Sequence, residues 1–334
     1  MNISIFAAGA WGTALAIVFS ARHQATLWTH DSDLAYSLLQ ERENRQFLPG
    51  FQFPNSLEIE TDITKALAKA DLLIVATPLL WFRETLASFR DCGPLKPLLW
   101  VCKGLEAGSA KLPHQVVDEE LGDLFAEKAI SYGALTGPSF AEEVARGLPT
   151  AVTLASTNLD FAQQMASQLY TPYFRVYAND DLPGAEIGGA AKNVIAVATG
   201  ICDGLKLGLN ARAALMTRGL AEITRLGIAL GGRYTTFLGL AGMGDLILTC
   251  TGDLSRNRKV GLALAAGKKL SQILAELGHV AEGVSAAREL ARLSEKLQIE
   301  MPITRAVDDI LHNDLPVLQA MEQLLSRDIK PETA

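Results

Sequence analysis

Up to about residue 182 the chain alternates short apolar runs with amphipathic segments; beyond it the short runs stop. That single change limits the fold more than any other feature. The candidate strands are Ile3–Phe6, Ala25–Thr29, Leu57–Glu60, Leu72–Ala76, Leu98–Cys102, Ile130–Leu135, Ala151–Ala155 and Phe174–Tyr177. Helical patterns separate several of them, at Gly12–Ala21, Asp33–Arg42, Ile63–Ala70, Trp81–Arg90, Pro113–Leu121, Ala141–Arg146 and Asp160–Leu169. Strand-length runs divided by helices imply βαβ units and a mostly parallel sheet. Pro78, Pro94, Pro97, Pro113, Pro138 and Pro149 fall at the seams, which supports the partition. After the change, Glu186–Cys202, Ala211–Ala229, Leu238–Leu248, Arg258–Ala266, Leu270–Leu277, Gly283–Leu297, Ile303–Leu311 and Leu315–Leu325 all read as helices. The expected architecture is a doubly wound α/β domain over residues 1–182, then an all-α domain over 183–334, with Pro183-Gly184 as the hinge.

Composition narrows the classes. With 30 Lys and Arg against 37 Asp and Glu, the net charge is −7, which argues against a general nucleic-acid or anionic-membrane binder. An anionic small ligand would need its cations gathered at one place. Cys92, Cys102, Cys202 and Cys250 lie far apart and read as reduced thiols, in keeping with a cytoplasmic protein. The five histidines form neither H-x-x-H nor H-E-x-x-H, so no protein-built zinc site is expected. Residues Ile3–Ala21 carry no charge, as a membrane span or signal h-region would. No basic residue precedes them, and Gly9 and Gly12 divide the run into a strand and a helix. No membrane span is therefore expected.

Directly after the first strand stands Ala7-Ala8-Gly9-Ala10-Trp11-Gly12, a G-x-G-x-x-G pattern with alanine in its first slot. The second glycine lets backbone approach a pyrophosphate, the third lets helix and strand pack closely, and the helix start offers free N–H groups. A plain βα turn is the alternative; the strand–turn–helix order and a second strand at Ala25–Thr29 favour dinucleotide binding and a Rossmann-like sheet. At the end of that second strand an acid would favour a free ribose 2′-hydroxyl and a cation a 2′-phosphate. Trp28-Thr29-His30-Asp31 offers both: His30 for a phosphate, Asp31 for a hydroxyl or as a helix cap.

From Ile187 to Cys202 the only charge is Lys192. That helix is apolar nearly all round, hence buried. A buried ammonium is costly unless paired, and desolvation lowers its proton affinity toward the general acid/base range. The alternative is a lysine whose head reaches solvent beside Gly188 and Gly189. Gly252-Asp-Leu-Ser255-Arg256-Asn257-Arg258-Lys259 sets a hydroxyl, a guanidinium and an amide before a helix, which suits a phosphate; equally, Ser255 is an N-cap and the cations a solvated face. Asp245, between glycines and an apolar run, is a partner for the lysine or a cap. Lys103-Gly104 and Gly137-Pro138-Ser139 follow strand ends, where doubly wound sheets bind ligands.

These residues resemble one family, the bacterial NAD(P)-dependent glycerol-3-phosphate dehydrogenases. The resemblance runs the length of the chain. It rests on Ala10-Trp11-Gly12-Thr13-Ala14-Leu15-Ala16, Asn44-Arg45-Gln46-Phe47-Leu48-Pro49-Gly50, Lys103-Gly104-Leu105-Glu106, Gly137-Pro138-Ser139-Phe140-Ala141-Glu142-Glu143, Gly188-Gly189-Ala190-Ala191-Lys192-Asn193-Val194, Gly239-Leu240-Ala241-Gly242-Met243-Gly244-Asp245-Leu246 and Ser255-Arg256-Asn257. It implies reversible hydride transfer between NADPH or NADH and dihydroxyacetone phosphate, giving sn-glycerol 3-phosphate for glycerophospholipid synthesis, in a cytoplasmic homodimer. Carried over, Lys192 is the proton donor and acceptor, assisted by Lys103 and Asp245. Lys103, Gly137, Ser139, Lys192, Asp245, Ser255, Arg256 and Asn257 would hold the substrate. Gly9, Ala10, Trp11, Gly12, His30, Phe47, Lys103, Ala141, Arg256, Val280 and Glu282 would line the cofactor. Phe47 stands where the family usually has tyrosine, and Ala7 where the fingerprint has glycine. Two other readings of the residues are a non-catalytic dinucleotide-binding redox sensor and a dehydrogenase of another small acid or opine, whose carboxylate the Ser-Arg-Asn run also fits.

Overall fold

The computed structural model describes residues 1–277 and 281–328. Ten strands are present among them: β1 (Asn2–Phe6), β2 (Gln24–Trp28), β3 (Glu43–Asn44), β4 (Leu48–Gln52), β5 (Glu58–Glu60), β6 (Leu72–Val75), β7 (Leu98–Trp100), β8 (Tyr132–Thr136), β9 (Thr150–Ala155) and β10 (Phe174–Asn179). Eight form one sheet in the order β10-β9-β8-β7-β6-β1-β2-β5, and β3 and β4 pair separately. All neighbours in the large sheet run parallel except β8 and β9. The mostly parallel, doubly wound expectation holds.

A sheet covered on both faces needs apolar residues at successive positions. The central strands supply them: Ile3 and Ile5 pack on one face with Leu72, Ile74 and Leu99, while Phe6 packs on the other with Leu73, Val75 and Trp100. The uncharged N-terminus resolves into β1 and a ten-residue helix, Ala10–Phe19. Among the described residues no single helix is long and apolar enough to cross a membrane.

Beyond β10 only helices follow among the described residues. The first, Leu182–Gly204, is the axis of this half: every residue from Gly184 to Cys202 is buried. Pro183 and Gly184, expected as a hinge, lie in its first turn, capped by Asp181, which accepts the Gly184 N–H at 3.0 Å. Proline suits that turn because its missing N–H would be unpaired there anyway. The single helix expected over Leu238–Leu248 is instead broken into Tyr234–Phe237, a π-turn at Leu240–Gly244, and Asp245–Thr251. Glycine-rich backbone packs there against Phe237 too closely for a side chain: a Cβ on Gly242 would lie 2.2 Å from the Phe237 carbonyl oxygen. The β3–β4 hairpin gave no periodic signal, since one strand has two residues and the other contains Pro49.

β1 lies between β2 and β6, so the strand order reverses beside it. Ligands of such sheets bind outside the carboxyl ends of the strands at that point.

Candidate active site

The turn after β1 leaves room and backbone donors at the start of the first helix. Ala7 has φ 97°, the left-handed region glycine prefers, so alanine occupies the tight-turn slot in the conformation the missing glycine would adopt. A Cβ on Gly12 would lie 2.2 Å from the Ala7 carbonyl oxygen; one on Gly9 would meet nothing within 4 Å. Gly12 therefore serves helix–strand contact, and Gly9 faces open space. The helix Ala10–Phe19 starts with no side-chain cap and no acid in its first turn, which leaves first-turn N–H groups and the positive end of the helix dipole for an anion. Asn44, fully buried, donates from Nδ2 to the Ala8 carbonyl and Thr13 Oγ1, both at 2.8 Å, and its Oδ1 accepts the Phe47 N–H at 3.1 Å. Asn44 thus ties the Phe47 loop to this turn. Its role was not evident from the sequence, although it opens one of the family motifs.

His30 is exposed and stands beside the Trp28 ring, centroids 6.1 Å apart. Asp31 is the N-cap of the next helix, accepting from Asp33 and Leu34 at 3.0 Å.

Across the crevice, Lys192 donates to Asp245 Oδ1 and Lys103 donates to Asp245 Oδ2 at 2.8 Å. Asp245 is wholly buried and the Lys192 side chain is 8% exposed, so the lysine head is committed to the carboxylate rather than to solvent. Burial pulls the Lys192 proton affinity down to about 8; Asp245 opposes this and the Lys103 charge adds to it. Lys103 also donates to the Gly137 carbonyl at 3.2 Å, which accepts from Ser139 Oγ at 3.0 Å as well. Ala141 begins the short helix after this loop. The loops after β7 and β8 thus meet at the helix carrying Lys192. Thr77 and Thr136, at the ends of β6 and β8, have buried hydroxyls with no hydrogen-bond partner among the described residues.

The Ser255-Arg256-Asn257 run divides three ways. Ser255 Oγ caps its helix, accepting the Arg258 N–H at 3.2 Å. Asn257 Oδ1 accepts the Gly283 N–H at 3.0 Å, and neighbouring Glu282 takes the Asn193 amide at 3.3 Å. Burial pushes the Glu282 carboxyl up, against the charges of Arg256, Lys103 and Lys192. Arg258 is occupied by Asp203 at 2.7 Å and Asp253 at 3.1 Å, so it does not belong to a phosphate cradle. Exposed Arg256 has no ion pair among the described residues. Its helix crosses the Lys192 helix where Gly200 meets Gly261, each leaving about 2.1 Å between a would-be Cβ and the opposite carbonyl oxygen. Val280 lies outside the described residues.

Comparison with known proteins decides between the remaining classes. Residues 2–162 match the model of the NAD-dependent glycerol-3-phosphate dehydrogenase N-terminus, and residues 181–322 match that of its C-terminus. The chain belongs to the NAD(P)-dependent glycerol-3-phosphate dehydrogenases. It is 60% identical over 334 residues, the whole of both chains, to the glycerol-3-phosphate dehydrogenase [NAD(P)+] of Dechloromonas aromatica. The Aromatoleum aromaticum protein of the same name is 57% identical over 333 residues, 99% of this chain and all of that one. Among solved structures, the glycerol-3-phosphate dehydrogenase of Coxiella burnetii superposes with a TM-score of 0.92 at 42% identity, covering 98% of this chain and 99% of that one. D-mandelate dehydrogenase, at 13% identity and a TM-score of 0.61, shares the fold alone. This glycerol-3-phosphate dehydrogenase is an NAD(P)-dependent oxidoreductase, and its open turn at Gly9, uncapped helix start and orphan hydroxyls fit such a cofactor.

Proposed function

We propose that this glycerol-3-phosphate dehydrogenase reduces dihydroxyacetone phosphate reversibly to sn-glycerol 3-phosphate, supplying glycerophospholipid synthesis, with Lys192 as proton donor and acceptor. The observation that carries the reading is the buried Lys192–Asp245–Lys103 cluster at the end of the cofactor crevice. When bound, the reduced nicotinamide supplies the hydride that no side chain can. The carbonyl oxygen then needs a proton, and the Lys192 ammonium gives it while stabilising the developing negative charge. Asp245 orients Lys192. Lys103 takes part from the other carboxylate oxygen, beside Gly137 and Ser139. Arg256, with no ion pair among the described residues, grips the phosphate with Ser255 and Asn257, and that binding energy aligns the carbonyl.

Gly9, Ala10 and Trp11 hold the cofactor phosphates, on a helix that Gly12 lets pack close to its strand; His30 faces the adenosine ribose, with Asp31 engaged as a cap. Phe47, Lys103, Ala141, Arg256 and Glu282 complete the cofactor surface. Residues 1–182 carry the cofactor and 183–334 most of the substrate contacts. An absorbance assay at the nicotinamide band, with NADH and NADPH against dihydroxyacetone phosphate and non-phosphorylated keto acids, tests the reading. Oxidation with the keto acids and none with dihydroxyacetone phosphate would sink it.

The enzyme acts in the cytoplasm, in keeping with its four free cysteines, and pairs as a homodimer. An open apolar groove of about 1320 Å³ in the helical half, between Leu207, Ile228 and Leu325, supports that pairing. Light scattering on purified enzyme checks it; a monomeric mass is the contrary result.

A further inference from the structure

Glu186 lies six residues before Lys192 on the same helix and has no part in the chemistry above. It is 6% exposed. Its Oε1 accepts the Trp100 indole N–H and the His114 backbone N–H, both at 3.0 Å, and its Oε2 meets His114 Nδ1. A buried carboxylate is costly unless its oxygens are filled, and here both are. Its partners come from two other elements. Trp100 ends β7, three residues before Lys103; His114 opens the helix Pro113–Glu127. One side chain therefore joins the helix of Lys192 to the strand that delivers Lys103.

A second point of contact lies one turn along. Helical spacing puts Gly189 on the face of Glu186, and a Cβ there would stand 3.5 Å from Lys103 Cδ and 3.0 Å from Thr136 Oγ1. The Lys103 stem thus crosses the helix at Gly189 before reaching Asp245. A shift of the helix along its axis would move the Lys192 ammonium relative to that carboxylate and press on the Lys103 stem where it crosses Gly189.

We propose that Glu186 is a positioning residue: through Trp100 and His114 it sets the register that brings Lys103 and Lys192 onto opposite oxygens of Asp245. Burial pushes the Glu186 carboxyl up while the His114 contact pulls it back; burial lowers His114, and the Glu186 contact more than offsets that. Asp118 and Cys102 face the same pocket as this pair. Lys192 itself faces Asp245 and Lys103, with Glu282 and Cys250 in range.

The inference rests on Lys192 as proton donor, and the test separates the two. Reductive kcat is followed against pH in the full-length enzyme, with NADPH affinity measured by fluorescence quenching. Glu186→Ala is expected to lower kcat about tenfold or more, as misplaced catalytic groups do, with NADPH affinity kept within about twofold. It should also displace the alkaline limb of kcat by about half a pH unit or more, because the charges around Lys192 have moved. Glu186→Gln keeps an oxygen for Trp100 and the His114 N–H and restores both. Should Glu186→Ala fold poorly, His114→Ala removes only the Oε2 contact and gives a smaller displacement of the same limb. A loss of active fraction alone cannot move that limb, so an unmoved limb in the folded variants overturns the proposal. Near wild-type turnover by Lys192→Ala removes this inference together with the assignment of the acid. An inactive Lys192→Ala with an unmoved limb removes this inference alone.

Discussion

The Lys192 ammonium donates to the Asp245 carboxylate across 53 positions of chain. Both side chains are buried. Pairing offsets part of the cost of burying the two charges, and burial still leaves Lys192 with an affinity for its proton near 8, well below the ordinary lysine value. It is thus an acid that can release its proton to an alkoxide-like oxygen and recover it at neutral pH.

Lys192→Ala should lower kcat for dihydroxyacetone phosphate reduction by about a hundredfold or more, the usual worth of a positioned general acid. NADPH binding, read by fluorescence quenching, should stay close to wild type. Turnover near the wild-type rate would show that another group supplies the proton.

The same lysine sets a pH dependence whose sign differs with direction. Reduction needs the ammonium, so its kcat should be level below Lys192's value of about 8 and fall above it. Oxidation of sn-glycerol 3-phosphate needs the free amine and should rise through the same range. Steady-state rates in both directions, each at saturating substrate, check this; limbs of the same sign would contradict it.

Gly9→Ala and Gly12→Ala should part company. A Cβ at Gly9 meets no protein atom, whereas one at Gly12 falls 2.2 Å from the Ala7 carbonyl oxygen and 3.1 Å from the Ala76 Cβ. Gly12→Ala should cost about 1–3 kcal/mol of stability through overpacking. Gly9→Ala should leave Tm essentially unchanged while weakening NAD(P)H binding about tenfold or more, because its Cβ points where the pyrophosphate approaches. Thermal melts with and without NADPH distinguish them; Gly9→Ala with wild-type affinity would place the phosphates elsewhere.

Arg256→Ala should raise KM for dihydroxyacetone phosphate by roughly tenfold to a hundredfold, the loss of a charge-assisted contact of about 1.5–3 kcal/mol. Arg258→Ala, whose guanidinium is held by Asp203 and Asp253, should act on stability with a far smaller effect on KM. A KM unchanged by Arg256→Ala would remove it from the phosphate site.

Local pattern was enough for much of the fold. The eight strands of the sheet, the helices between them and the apolar helix around Lys192 could be read because burial on both faces, or all round, leaves a periodicity in neighbouring residues. The tight turn from Ala7 to Gly12 was legible for the same reason, since its demands fall on six consecutive positions. Contacts between distant segments leave no such trace. That Arg258 answers Asp203, that Asn44 ties its loop to Ala8, and that the Leu238–Leu248 segment breaks at a π-turn all follow from packing across the chain. Lys192 stood out as the one charge in an apolar helix, and Asp245 offered itself as a partner, but that Lys103 joins them follows only from the docking of strand ends against that buried helix, which places two cations on one carboxylate.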